Sequence, residues 1–310
     1  MRRKLAFIRR AYMPVVERAR REFDTAYLDR QLPPDEALRL IADHEAEAIF
    51  FTSTFKFDAA FIVALPPRVK VAASASTFLD HADLEAAKKR GLVVTCAPDV
   101  VAGCVADLAF GLIIGAARGF SRHARTMREG TWSVRTMGEG LGTRVWGKTL
   151  GIIGYGRVGR AMVERAKGFG MTILCHDPKP VSEPGVGYFA DLDAMLPRCD
   201  FVSVSARLTP GTRHLLDRRR LEKLPKGAFV VNSARGGLID EQALIALLES
   251  GHLGGAGLDV FEREPDFNRR LAELDNVFLT PHINSATHES RLELGYKCLD
   301  DIAAALAATS

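Results

Sequence analysis

The stretch "KTLGIIGYGRVGRAMVERAKGFGMTILCHDP", residues 148–178, decides the fold of this chain. Residues 150–153 form a short apolar strand, and Gly154, Gly156 and Gly159 follow in GxGxxG spacing. Val158, Met162, Ala166 and Phe169 then recur at helical period, and Gly168 and Gly170 end the helix. A second strand covers residues 172–175, with Asp177 just beyond it. A lone GxGxxG is weak evidence, but strand, glycines, helix, strand and terminal acid together predict a dinucleotide-binding βαβ unit. Gly154 permits the tight turn, Gly156 lets the backbone approach a pyrophosphate, and Gly159 lets helix pack closely on sheet. The helix start around Arg157 and Val158 offers unpaired N–H groups and a positive dipole end to the phosphates. Asp177 would accept hydrogen bonds from the adenosine ribose and repel a 2′-phosphate, so NAD is expected over NADP.

The same alternation continues on both sides. Downstream, strands are expected at residues 201–205, 229–232, 257–260 and 277–279. Upstream they are expected at residues 5–8, 48–51, 69–73 and 92–95, with helices such as 35–44 and 83–90. A long apolar helix, residues 100–117, precedes a segment rich in Arg, Gly and Thr, residues 118–147, that interrupts the rhythm. Strands alternating with helices predict an α/β protein with parallel sheets. At 310 residues the chain exceeds one comfortable core, so two α/β units joined by the long helix are expected.

Composition excludes several classes. The chain is 47% hydrophobic and 26% charged, with no apolar run near the ~18 residues of a membrane span. Its first ten residues lack the apolar core of a signal peptide, which makes the cytoplasm the expected location. Cys96, Cys104, Cys175, Cys199 and Cys298 are odd in number and never spaced as CxxC, so reduced core thiols are expected, with no disulfide framework and no metal. Net charge is +4, and the clusters at residues 2–4, 18–21 and 218–220 fit solvated helix faces better than a nucleic-acid footprint. His81 between Asp80 and Asp83 is read as a capped helix start, and His288–Glu289 lacks the HExxH spacing of a zinc helix.

In open parallel sheets ligands bind beyond the carboxyl ends of the strands. The polar residues just past those ends are Arg235, Asp259 with Glu264, and His282 in "LTPHINSATH". An arginine, carboxylates and a histidine thus converge on one crevice. Singly, each has an ordinary structural explanation.

The motifs "DHADLEAAKKRG", "GKTLGIIGYGRVGR", "NSARGGLIDEQAL", "GAGLDVFEREP" and "LTPHINSAT" resemble, in order and spacing, the D-isomer-specific 2-hydroxyacid dehydrogenases from about Asp80 to Thr287. The resemblance implies a Rossmann-type NAD-binding domain, residues 99–285, inserted into a flavodoxin-like substrate domain. That domain would comprise residues 1–98 and a returning C-terminal helix, 286–310. It implies Arg235, Glu264 and His282 as the catalytic set, and Asp259 against the nicotinamide carboxamide. Further cofactor contacts are implied for Ser205, Thr212, Ser233, Ala234 and Asn284, beside Arg235 and His282. Thr77 and Phe78 would join Arg235 and His282 at the substrate. A homodimer through the arm from Arg118 to Trp146 is also implied.

The chemistry suits those residue types. Arg235 can fork onto the carboxylate of a small 2-keto acid, such as glyoxylate or hydroxypyruvate. His282 would protonate the carbonyl oxygen as hydride arrives, and Glu264 would fix the tautomer and stabilise the imidazolium. Four positions depart from the family pattern: Phe78 stands for a common Gly, Ser205 and Arg207 for His and Pro, and Asn284 for Gly. The chain stops at Ser310, which weakens a phosphoglycerate role requiring a regulatory domain. The other function class on this fold is an NAD(H)-sensing interaction protein of the corepressor type, and turnover of keto acids separates the two.

Overall fold

The computed structural model describes residues 2–98, 100–134 and 136–308. The chain divides into two compact units, residues 1–101 with 285–310, and residues 102–284. The boundary expected at residue 99 falls outside the described residues.

In the first unit, β1 (Lys4–Phe7), β2 (Asp24–Tyr27), β3 (Ala48–Phe51), β4 (Val71–Ser74) and β5 (Val93–Cys96) form a parallel sheet in the order β2-β1-β3-β4-β5. This is the flavodoxin-like order. Alternate side chains feed two cores. Leu5, Phe7, Phe50, Val71 and Ala73 pack under helices Met13–Glu22 and His288–Ala308. Ala6, Ile49, Phe51 and Ala72 pack under Pro34–Asp43, Ala59–Ala64 and Leu84–Arg90. Asp83 caps the last of these by accepting from the Ala86 N–H, and Gly91 ends it with φ 69°.

In the second unit, β6 (Thr149–Ile153), β7 (Thr172–His176), β8 (Val186–Phe189), β9 (Phe201–Val204), β10 (Phe229–Asn232), β11 (Gly255–Leu258) and β12 (Val277–Leu279) form one parallel sheet. The order is β12-β11-β10-β9-β6-β7-β8, a Rossmann arrangement extended by a seventh strand, with its direction of growth reversing between β6 and β9. Helices Ala102–Arg118 and Arg157–Gly168 cover Ile152, Cys175, Phe201 and Val231 on one face. Helix Glu241–Glu249 and shorter turns cover Ile153, Val204, Val230 and Leu258 on the other.

The sequence pattern missed two strands. Both β2, "DTAY", and β8, "VGYF", are edge strands with mixed exposure, so neither carries an apolar run. The strand expected at residues 257–260 begins two residues earlier, because "GAG" reads as a turn although buried between neighbours it needs no larger side chain. The segment 118–147 contains a helix, Phe120–Glu129, with no buried residue, so no apolar face announced it. Cys175, Cys199 and Cys298 are buried, but Cys96 and Cys104 are only half-buried and are not core thiols. Among the described residues no single helix is long and apolar enough to cross a membrane, and no group of three or more His, Cys, Asp or Glu is arranged to hold a metal.

Ile302, at 0% exposure, anchors the C-terminal helix into the first unit's core beside Leu5 and Phe7. Ile302→Ala should destabilise that unit by about 2–5 kcal/mol. Urea denaturation followed by circular dichroism would show it as an earlier loss of helical signal; an unmoved transition would mean the helix is not integral to the unit.

Candidate active site

The turn after β6 fits a dinucleotide. Gly154 has φ +93°, and a Cβ there would lie 2.7 Å from the Ser205 and Ala206 backbone. A Cβ on Gly159 would lie 2.3 Å from the Gly154 carbonyl oxygen, so helix and strand meet without room for a side chain. Gly156, by contrast, faces open space, with nothing within 4 Å of its Cβ position. It is the N-cap of helix Arg157–Gly168, and no side chain caps that helix. A polar ligand can therefore approach the backbone N–H groups of the helix's first turn.

Asp177 sits at the end of β7, where its carboxylate accepts from the Tyr155 N–H at 2.8 Å and the Lys179 N–H at 2.9 Å. Both donors are backbone groups, so the carboxylate is fixed beside the glycine turn. Tyr155 was not singled out by its sequence. Its buried hydroxyl donates to Glu183, and burial first, then that bond, pushes its pKa up.

A second group of side chains lies past β10, β11 and β12. Asn232, buried at the end of β10, donates to the Arg235 carbonyl at 2.9 Å and accepts from the Ala234 N–H at 3.0 Å, which shapes the turn that presents Arg235. The Arg235 guanidinium also donates to the Ala234 carbonyl at 2.9 Å. Asp259, fully buried, accepts from the Thr280 hydroxyl at 2.6 Å, the Ile283 N–H at 2.8 Å and the Asn284 N–H at 2.9 Å. Burial outweighs these bonds and pushes its pKa up. In the structure its oxygens hold segment 280–284.

His282 stands in that segment with φ 52°, a left-handed backbone that costs a non-glycine residue about 1–3 kcal/mol. Its N–H donates to the Asp259 carbonyl at 2.9 Å, one of the bonds that sustain the conformation. Its Nδ1 lies 2.6 Å from Glu264 Oε2, while Glu264 Oε1 accepts from the Phe261 N–H at 3.0 Å. Burial works against an ionised Glu264, but the bonds from His282 and Phe261 and the nearby Arg235 charge together hold its pKa below the usual carboxylate value. An ionised Glu264 can only accept, so Nδ1 carries the proton and Nε2 is left for chemistry.

The remaining expected residues are spread more widely. The Ser205 and Ser233 hydroxyls are buried at the ends of β9 and β10, with no hydrogen-bond partner among the described residues. Asn284 replaces the expected glycine usefully: its side chain donates to the Ser233 carbonyl at 2.8 Å, tying the loops after β10 and β12 together. Thr212 is engaged within its own loop, donating to the Arg207 carbonyl at 2.6 Å and accepting from the Thr209 N–H at 2.7 Å. Thr77 and Phe78 belong to the first unit, in the loop after β4, where Ser76 donates to the Phe78 carbonyl at 2.7 Å and the Phe78 ring is 38% exposed.

Fold and site thus define an α/β protein with a glycine turn that fits a dinucleotide and a hydrogen-bonded histidine–glutamate pair past its strand ends. Residues 110–284 match the family model of the D-isomer specific 2-hydroxyacid dehydrogenase NAD-binding domain. The chain is 39% identical over 270 residues to glyoxylate reductase of Thermococcus litoralis, covering 85% of this chain and 81% of that one. The crystal structure of a Polaromonas protein assigned to the same family superposes with TM-score 0.93 at 37% identity, over 99% of this chain and 98% of that one. An NADPH-dependent glyoxylate/hydroxypyruvate reductase from Sinorhizobium meliloti, solved with NADP and malonate, superposes with TM-score 0.85 at 30% identity, over 98% and 93% of the two chains. The chain belongs to the D-isomer specific 2-hydroxyacid dehydrogenase family.

Asp259→Asn tests the bracket on segment 280–284. The amide nitrogen would face a donor whichever way it turned, either the Asn284 N–H or the Ile283 N–H with the Thr280 hydroxyl. Hydrogen exchange at residues 283 and 284 should accelerate, with a stability loss of about 1–3 kcal/mol. Unchanged exchange there would show that the carboxylate does not hold the segment.

Proposed function

We propose that this chain is an NAD-dependent reductase of a small 2-keto acid, giving the D-2-hydroxy acid, and that the reverse oxidation uses the same groups. The observation that carries this reading is the Glu264–His282 pair at 2.6 Å, standing with Arg235 past adjacent strand ends of the sheet that bears the glycine turn. The names of the relatives support the substrate class, since two of them are reductases of glyoxylate or hydroxypyruvate.

The bound nicotinamide would supply or accept the hydride at the substrate's second carbon. Arg235 would grip the substrate carboxylate with a planar fork. His282 would donate the Nε2 proton to the carbonyl oxygen in reduction and remove it in oxidation. Glu264 would orient the ring and stabilise its charged form. The glycine turn, with Arg157 and Val158, would receive the pyrophosphate, and Asp177 the ribose. Ser205, Thr212, Ser233, Ala234 and Asn284 would line the path to the nicotinamide. We also propose a homodimer through the arm at residues 118–146, where Trp132, Val134, Met137 and Leu141 expose large apolar side chains.

Turnover against a panel of 2-keto acids with NADH tests the reading. His282→Gln should bind NADH normally and lose about 10²–10⁴-fold in reduction. Parent-level turnover by that variant would make the histidine structural. Glu264→Gln should be milder. A neutral partner stabilises the imidazolium less, so the reductive rate, which needs the protonated ring, should fall at lower pH than in the parent.

Cofactor choice has its own test. NADH should bind much more tightly than NADPH, and Asp177→Ala should shrink the preference, because the fixed carboxylate opposes a 2′-phosphate. Equal binding of both cofactors by the parent would overturn the assignment.

A further inference from the structure

We propose that His214 and Glu262 are positioning residues for the acid group: by holding Glu262, His214 fixes the loop from which Glu264 reaches His282. The proposal rests on the reading of His282 as the acid.

Glu264 curls back to accept from the Phe261 N–H, so its place depends on the backbone at residues 261 and 262. That backbone is confined. A Cβ on Gly236 would lie 1.9 Å from the Phe261 carbonyl carbon and 2.4 Å from the Glu262 nitrogen, so the turn after β10 presses directly on it. The Glu262 N–H points to Glu241 Oε2 at 3.4 Å, and the Glu262 carboxylate bonds His214 Nε2, with Arg213 at 3.7 Å.

His214 is itself anchored to the strip that Gly236 begins. Its backbone is left-handed, φ 49°, and its N–H donates to the Gly237 carbonyl at 2.8 Å. Two residues on, the Leu216 N–H donates to the Leu238 carbonyl at 3.0 Å, beside the Leu216–Ile239 bridge. Three loops are thus knitted at one point: 213–216, 235–239 and 261–264.

The charges divide accordingly. Glu262 and Glu264 lie two residues apart in "FERE", and each is bonded to its own histidine, Glu262 to His214 and Glu264 to His282. With Glu262 engaged by His214 and Arg213, Glu264 is the carboxylate hydrogen-bonded to His282. The other charged groups felt on that side are Glu241, which faces Glu262 and whose pKa burial pushes up, Arg235, which acts on Glu264, and Asp259, which acts with His282. Losing the His214 bond would free the loop to move Glu264 away from the ring.

The test uses His214→Asn and Glu262→Gln in the full chain with NADH bound, reading the pH midpoint of His282 protonation by NMR of labelled histidine. NADH affinity within about twofold of the parent shows that each variant folds. Both variants should lower the midpoint by about half a unit or more. Where a keto acid is turned over, kcat should fall at the alkaline side while KM for the keto acid is kept. A direct field effect would instead move them oppositely, because one removes a cation-forming ring and the other an anion; opposite shifts, or none, overturn the proposal. His214→Lys, which can still bond Glu262, should restore most of the midpoint. The NMR reading needs no turnover, so a chain inactive on every keto acid would sink the reductase reading while the midpoints still decide the coupling.

Discussion

Every strand in the second unit runs parallel to its neighbours, and that single constraint determines where its chemistry lies. Parallel strands require crossovers, so all seven carboxyl ends, with the loops that follow them, share one edge of the sheet. Residues from Gly154 to Asn284 are brought to that edge although up to 130 positions separate them in the chain. The order reverses between β6 and β9, the kind of switch point at which open α/β sheets bind their ligands. Gly154, pressed against the Ser205–Ala206 backbone, sits at that reversal.

Two carboxylates at the edge show how environment separates roles. Asp259 is wholly buried, and burial raises its pKa despite three donors; its position is that of a bracket holding segment 280–284. Glu264 is partly exposed, and the His282 ring, the Phe261 N–H and the Arg235 charge overcome burial to keep it ionised. Of the two, Glu264 is the one hydrogen-bonded to the His282 ring. The left-handed backbone of His282 follows from the first, since segment 280–284 is tied to Asp259 on either side of the ring.

Much of this was legible because the constraints are local. Three glycines at fixed spacing between two apolar runs leave few alternatives to a dinucleotide turn, and polar residues directly after buried strands mark the ligand edge. What the sequence hid depends on distance or on missing atoms. The two edge strands lack a buried face, and helix Phe120–Glu129 has none. His214 and Glu262 are 48 positions apart, with nothing in either neighbourhood to pair them. Gly236 reads as one half of a glycine pair in "ARGG" until the backbone pressed against it is seen. Asn284, a departure from the family pattern, proves to tie two loops through the Ser233 carbonyl.

The most direct measurement is isotopic. NADH carrying deuterium at the transferable position of its nicotinamide is incubated with the chain and a 2-keto acid, and the hydroxy acid formed is analysed by NMR. The account predicts one deuterium at the second carbon of a D-configured product, or of glycolate where glyoxylate is used. Deuterium retained on the nicotinamide, with every keto acid of the panel left unreduced, would contradict it.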